Sequence, residues 1–527
     1  MAFVQHVLFD SALPGSIRQR ALDRIYADPG IPVNEGTTSS FWLQTPHPTL
    51  SKIQLSNLPS SADTVIIGSG ITGASVARTL LQCRERNSSI PSSENEPSVV
   101  MLEARDICSG ATGRNGGHIL ETADDYVHLA NDFGEDAAKK IMKFRLAHLQ
   151  TILDVADELM IREECQARKV QFLSVYFDEE TWEMAKERLS RFKEAMPEES
   201  ADWLLYEDII PEEFHLPAAR GVIAGPAGAI WPYKFVTGVL DSLRRQFPHD
   251  LHIETNTPVQ DIITSSEESR WPFSVVTTRG IIKCRHLVHC TNGHISHLVP
   301  GFRGRIYPVR GQMSAQSPGD KFPAYGMKHS WLLNYDRGFD YLTQLPHDHA
   351  ESNAEMMLGG GFAQGKNGGV DDLGISHDSE LCLYIDIHLS GALAAVFGHQ
   401  NWGKTSGQSV KNMWTGIMGF SADGMPWVGK LPSSLTDRSH DRNEGNAAHG
   451  AEWVSAAFSG EGMVQAWLCG KALGLMILDH DGKQSTGESA DVRSWFPEQM
   501  VVTEERIRKS FLPRQIQHPT KEDNPHL

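Results

Sequence analysis

Gly68, Gly70 and Gly73 stand in the stretch DTVIIGSGITG, directly after an apolar run that ends at Ile67. At that spacing each glycine has a separate task. Gly68 permits a tight turn out of a strand, Gly70 lets a pyrophosphate reach the backbone, and Gly73 lets a helix lie close to the strand. Ile71 and Thr72 open that helix, whose free N–H groups and positive dipole end attract phosphate. The next apolar run, from Val99, ends at Glu103, where a carboxylate can accept hydrogen bonds from ribose hydroxyls. An acid there suits a ribose without a 2′-phosphate, which disfavours NADP. Ala104 and Arg105 follow, and then the loop SGATGRNGGH, with Ser109, Thr112, Arg114, Asn115, Gly116, Gly117 and His118. Such a loop can aim several backbone N–H groups at a pyrophosphate or a ring edge. A nicotinamide site needs no second glycine loop after the acid. A flavin is enclosed along its whole length, so the two loops together point to FAD.

Three other groups of residues could do chemistry. His286, His289, His294 and His297 form two H-x-x-H spacings. One pair falls on a strand, where residues three apart face opposite ways. The other falls in a loop without a companion cysteine or carboxylate pair, so no metal is expected. Arg303, Arg305 and Arg310 cluster in GFRGRIYPVRGQ, and Arg310 is a candidate clamp for a substrate carboxylate. The competing reading is a domain hinge with structural arginines. Trp331, Tyr335 and Tyr341 lie on expected strands, and Trp331 and Tyr341 are candidates for the wall of a substrate cavity. The competing reading for them is core packing.

The elements that must position these residues can be read from periodicity. A strand over Val65–Ile67 leads to a helix over Ala74–Arg86, with Ala74, Ala77 and Leu81 inward. The polar stretch 87–97 reads as a solvated loop before the strand Val99–Glu103. Met142, Leu146, Leu149, Leu153, Ala156 and Met160 mark one helix face, and Trp182, Ala185, Leu189, Phe192 and Met196 another. A turn and a helix follow after residue 228, then strand-like segments from LHIETNTPVQDI to IIKCRHLVHCTNG. The last of these ends at Thr291, Asn292 and Gly293. Ligands of open α/β sheets sit at such carboxyl ends. Residues 304–410 alternate short strands with a helix around 378–397, residues 411–430 read as turn-rich, and residues 451–477 read as strand, glycine turn and helix.

A chain of 527 residues has room for more than one core, and 40% hydrophobic with 22% charged residues is ordinary globular composition. A net charge of −18 repels phosphate backbones and anionic lipid, so no nucleic-acid partner is expected. No run approaches the length of a membrane span, and the first residues lack a signal peptide's basic and apolar regions. Seven scattered cysteines without a C-x-x-C suit a reducing compartment, and the cytoplasm is the expected location. The terminal Pro525, His526 and Leu527 match a peroxisomal address only loosely, which leaves the peroxisome as a weak second.

Taken together, these motifs resemble the D-amino-acid oxidase superfamily of FAD enzymes, on the side of glycine or sarcosine oxidases and γ-glutamylputrescine oxidase. The pieces that carry the resemblance are TVIIGSGITG, LEARDICSGATGRNGGH, HCTNG, PGFRGRIYPVRGQM, WTGIMGFSADGMPWVG and FSGEGMVQAWLCGKAL, in the family's order. The resemblance implies an α/β fold: a Rossmann-like FAD-binding domain built from separated segments, and a second α+β domain with a mixed or antiparallel sheet. On that pattern residues 1–60 are an N-terminal extension, and 61–133, 221–303 and 411–500 belong to the FAD-binding domain. Residues 134–220 and 304–410 supply the helices and the sheet of the substrate domain, and 501–527 form a polar tail. The resemblance further places Val259 by the adenine, Asn292 and Gly293 near the pyrophosphate, and Gly460, Glu461, Gly462 and Met463 as a turn at the flavin's N1–O2 edge. Reduced flavin gathers negative charge there, and a helix N-terminus would stabilise it.

The implied activity is oxidation of a CH–NH bond in a small amine or amino acid by hydride transfer to flavin N5, with O2 reoxidising the flavin to give H2O2. His118 and Cys290 lie in flavin-binding segments but not at the family's linking position, so the expected attachment is non-covalent. Sarcosine-oxidase-like relatives use a lysine to help oxygen react. The comparable strand here reads MMLGGGF, and Lys328 and Lys366 are near it in sequence only. A dehydrogenase with another electron acceptor, or a biosynthetic oxidase that builds an imine, therefore stands as the alternative enzyme. A flavin-binding interaction protein stands as the alternative outside enzymes.

Overall fold

The structure is a computed structural model that describes residue 8 and residues 13–86, 97–265, 269–347, 354–405, 408–438, 450–482 and 491–515. The loop expected over 87–97 falls, apart from Pro97, outside the described residues, as do Pro525, His526 and Leu527.

Two sheets organise an α/β chain. The described strands are β1 (Ser61–Ile67), β2 (Val99–Leu102), β3 (His118–Ile119), β4 (Arg168–Tyr176), β5 (Leu204–Tyr206), β6 (Gly221–Ala229), β7 (Leu251–Glu254), β8 (Val259–Thr264) and β9 (Phe273–Thr277). They continue as β10 (Gly280–His289), β11 (Ile306–Gln316), β12 (His329–Asn334), β13 (Phe339–Gln344), β14 (Met356–Gly360), β15 (Val410–Ser421), β16 (Trp427–Lys430) and β17 (Glu452–Ala456). The longer helices are α1 (Gly15–Tyr26), α2 (Ile71–Arg86), α3 (Ala123–Phe133), α4 (Glu135–Glu158), α5 (Glu179–Ala195), α6 (Pro232–Gln246), α7 (Leu383–Phe397) and α8 (Ala466–His480).

The first sheet runs β16-β17-β10-β1-β2-β7, with β17, β10, β1, β2 and β7 parallel. Their carboxyl ends therefore share one edge, where a ligand site is expected. Residues of β1 and β2 are buried on both faces, and their near-continuous apolar sequence is what such a strand requires. Helices α2 and α8 pack together beside this sheet. Their approach is close because a Cβ at Gly470 would meet the carbonyl oxygen of Thr72 at 2.7 Å, and one at Gly474 would meet Thr79 Cβ at 2.7 Å. The β8–β9 hairpin covers the other side through Val259, Ile262, Phe273 and Val275.

The second sheet runs β15-β11-β14-β13-β12-β4-β6-β3, with β5 on β6, and every pair is antiparallel except β12 with β4. The boundaries expected at 221 and 411 do not coincide with sheet boundaries. β6 pairs with β4 along its whole length, and β15 pairs with β11, so both belong to the second sheet. Residues 411–430, expected to be turn-rich, are mostly the strands β15 and β16, because the glycines of WTGIMGF sit in paired positions.

Residues 13–60 and 501–515 make more buried contacts than their polarity suggests. α1 buries Ala21, Leu22 and Ile25 against Tyr307, Val309 and Leu373. Residues 501–515 are held by buried Ile507 and Leu512 and by Arg506, which pairs with Asp423 at 2.7 Å and stacks over Trp427. Trp182, Ala185, Leu189, Phe192 and Met196 are all buried, as their spacing predicts. The face expected on α4 is rotated: Met142, Leu153 and Ala156 are buried, but Met160 lies past the helix end and is 92% exposed. Arg145 and His148 take buried places on that helix.

Candidate active site

A cavity of about 300 Å³ opens where the carboxyl ends of the first sheet meet the second sheet. It joins Gly68, Gly70, Ile71 and Thr72 after β1, Glu103, Ala104 and Arg105 after β2, and Thr112, Arg114 and Asn115 of the glycine loop. Val259 of β8 and Thr291, Asn292 and Gly293 after β10 line it as well, with Gly460, Gly462 and Met463 of the turn before α8. The second sheet supplies Gly311, Met313, Tyr341, Gly416, Ile417 and Met418.

The rest of the expected residues stand behind this lining. A Cβ on Gly73 would lie 2.1 Å from the carbonyl oxygen of Gly68, so Gly73 serves the helix–strand contact. Ser109 gives its carbonyl to the guanidinium groups of Arg105 and Arg114. Gly116 packs under Tyr341, whose ring a Cβ would meet at 2.7 Å, and Gly117 takes a positive φ of 68° beside Ile230. His118 Nε2 lies 2.7 Å from Ser330 Oγ, and burial, then Arg168, pulls its imidazole down to about 3. Glu461 turns away from the cavity to Arg145, 2.5 Å distant.

The three substrate-side candidates separate by strand parity. Gly311 and Met313 of β11 face the cavity, so Arg310 points to the opposite side, where it pairs with Asp372 at 2.8 Å. Tyr341 of β13 faces the cavity, and Trp331 pairs in register with its neighbour Leu342. Trp331 therefore lies on the far face, fully buried against Phe322 and Phe397. Tyr335 is on that side too, donating to Asp340 at 3.0 Å. Burial, then Asp340, pushes the Tyr341 hydroxyl up to about 12, so it is neutral at ordinary pH.

Glu103 is held by three hydrogen bonds. Ser69 donates to one carboxylate oxygen from N–H at 3.1 Å and from Oγ at 2.6 Å, and the Arg105 N–H donates to the other at 3.0 Å. A carboxylate has about four acceptor positions, so capacity for a ribose hydroxyl remains. Thr291 Oγ1, on the lining, is buried without a partner among the described residues. Sequence reasoning missed Asp378, a buried carboxylate that pairs with Arg105 at 2.9 Å and Arg114 at 3.1 Å. Burial pulls Arg114 down to about 10, against Asp378. Asp378 sits between the β14 region and α7 with no local motif to betray it. Sequence reasoning also missed Gly311 and Gly416, which stand opposite each other in register, although both lie in segments that carry the family resemblance.

The histidines of the H-x-x-H spacings are all engaged: His286 with Asp481, His289 with Glu452, His294 with the Gly30 carbonyl and His297 with Asp28. Among the described residues, His286, His480 and Asp481 have ligand-like spacing. Arg285 already bonds both oxygens of Asp481, at 2.6 and 2.5 Å, and we assign no metal there. The seven cysteines are free thiols. Among the described residues, no helix is long and apolar enough to cross a membrane.

A sequence model of the family described as FAD dependent oxidoreductase (DAO) matches residues 63–475. Among curated proteins no sequence matches. Solved structures do. L-proline dehydrogenase from P. horikoshii superposes with a TM-score of 0.56 at 18% identity, over 84% of this chain and 98% of that one. Glycine oxidase from Geobacillus kaustophilus gives 0.54 at 16%, over 82% and 98%. L-amino acid deaminase from Proteus vulgaris gives 0.57 at 13%, over 86% and 100%. At these identities the likeness speaks for the fold.

Proposed function

Because the chain belongs to the DAO family of FAD-dependent oxidoreductases, we propose that it holds FAD along this cavity and oxidises the CH–NH bond of a small amine or amino acid. The observation that carries the proposal is continuity. One cavity joins the fingerprint and Glu103 to the wall formed by Gly311, Met313, Tyr341 and Met418. The nucleotide end and a place for substrate are thus under one roof.

The residues present fit the cofactor. Glu103 would accept from the ribose, the start of α2 with Thr291, Asn292 and Gly293 would meet the pyrophosphate, and Val259 would border the adenine. The turn of residues 460–463 would border the flavin's N1–O2 edge. Bound FAD supplies the two-electron acceptor for the substrate's α-C–H, and the protein's share is binding and orientation. Gly311, Met313, Tyr341, Gly416, Ile417, Met418 and Phe458 are among the lining residues beside the second sheet. None of these seven is a lysine, histidine or carboxylate, and neutral Tyr341 is a poor base. These side chains can shape and dry the site but do not take a proton, so the amine enters neutral. Arg310 is committed to Asp372, so a substrate carboxylate would need another partner.

Neither Lys328 nor Lys366 lines the cavity, and Lys366 pairs with Asp371 at 3.5 Å. We take O2 as the electron acceptor, with release of H2O2. Oxygen uptake and peroxide release across a panel of amines and amino acids test this. Turnover with peroxide supports an amine oxidase, and turnover that needs an added dye supports a dehydrogenase. Stoichiometric flavin with no turnover on any of them would overturn the enzymatic reading.

A further inference from the structure

We propose that the segment Pro29–Val33 is part of the cofactor site, covering the adenosine half of FAD, and that FAD leaves only when this strap lifts. The inference rests on the FAD reading above. The family match begins at residue 63, so the strap lies outside the residues that the family model covers.

Pro29, Gly30, Ile31, Pro32 and Val33 line the cavity together with Glu103, Arg105, Thr257, Val259 and Leu298. That is the end where the ribose acceptor and the adenine neighbour lie. The strap is pinned on both sides of these five residues. Before them, Arg24 donates to the carbonyls of Leu373 and Val370 at 2.9 Å, and Asp28 meets His297 at 2.9 Å and Arg303 at 3.0 Å. His294 Nδ1 lies 3.1 Å from the Gly30 carbonyl oxygen within the span. After them, the Thr38 N–H donates to the Asp378 carbonyl at 2.9 Å, and Arg114 donates to the Thr38 carbonyl at 2.9 Å. Ser40 Oγ then donates to the Gly113 carbonyl at 2.7 Å, and Trp42 Nε1 donates to that of Asn115. The strap is thereby tied to the glycine loop itself.

Its composition suits a flat aromatic base. Two prolines restrict the backbone, and Ile31 and Val33 offer apolar side chains. Val33 is 59% exposed, an apolar surface beside a cavity that a bound base would cover.

The test is the release of FAD from the full-length, flavin-loaded protein, followed as the rise of flavin fluorescence after dilution. The double substitution Ile31→Ser, Val33→Ser should speed release about tenfold. Leu55→Ser, in the same extension but off the cavity, should leave the rate unchanged. Hydrogen–deuterium exchange over residues 28–38 should slow when FAD is added to the apoprotein. Equal release rates for the double variant and the parent, or exchange that ignores FAD, overturn the strap alone. A parent protein that never takes up FAD overturns the cofactor reading, and the strap with it.

Discussion

Gly70 and Gly73 belong to one turn but are glycine for different reasons. A side chain at Gly73 would strike the Gly68 carbonyl, which is backbone and cannot yield. At Gly70 the nearest obstacle to a Cβ is Thr112 Oγ1 at 3.0 Å, and the space beyond belongs to the cavity. Gly70→Val should therefore fold, with an unchanged circular dichroism spectrum, yet purify without colour. Retention of full flavin absorbance in that variant would show that the phosphates lie elsewhere. Residue types in the fingerprint, Glu103 and the glycine loop made this end of the site legible in the sequence. The substrate end was less so. Arg310, Trp331 and Tyr341 looked alike as candidates, and only the sheet registers separate the one that faces the cavity from the two that face away.

Helix α4 shows what periodicity can and cannot tell about an element. The helix is present, but its buried stripe includes Arg145 and His148, which no apolar pattern reports. Arg145 holds the turn before α8 through Glu461 and also meets Glu121 at 3.3 Å. Burial pushes Glu121 well up, against the pull of Arg145 and helped by Asp125 and Glu461. His148 docks α4 onto α8: its Nδ1 lies 3.0 Å from the Phe144 carbonyl oxygen, and its Nε2 accepts from the Leu468 N–H at 3.2 Å. Only the neutral ring, protonated at Nδ1, satisfies both bonds. Burial accordingly pulls His148 down to about 4 from the ordinary 6.5. The unfolded chain then binds the extra proton between those values and the folded chain does not. The contribution to stability is complete above about pH 6.5 and is lost as the pH falls towards about 4. Urea midpoints measured over that range should fall with pH, with His148 contributing up to about 1.4 kcal/mol per pH unit. His148→Gln should flatten the dependence, and an unchanged slope would contradict this assignment.

For the whole molecule, a largely parallel sheet and a largely antiparallel one close over a shared cavity. The order of motifs along the chain anticipated that architecture, because widely separated pieces return to the same sheet edge. Composition could not anticipate the course of the ends. Residues 1–60 read as a polar lead-in, yet in the described part, 13–60, a few anchors (Leu22, Ile25, Trp42 and Leu50) and many hydrogen bonds to backbone carbonyls fix its course, and residues 29–33 of it line the cavity. Such bonds leave no periodic trace in a sequence. Sheet membership of β6 and β15 was hidden for a related reason: pairing partners lie far apart in the chain, and glycine-rich strands read as turns.

The central claim is that an amine reduces a flavin held in this cavity. Mixing the purified yellow protein with a panel of amines and amino acids under strict exclusion of oxygen tests it most directly. The account predicts that at least one compound bleaches the flavin absorbance near 450 nm, an approximate wavelength typical of oxidised flavin, and that admitting air restores the colour. A flavin that stays fully oxidised with every amine would contradict it.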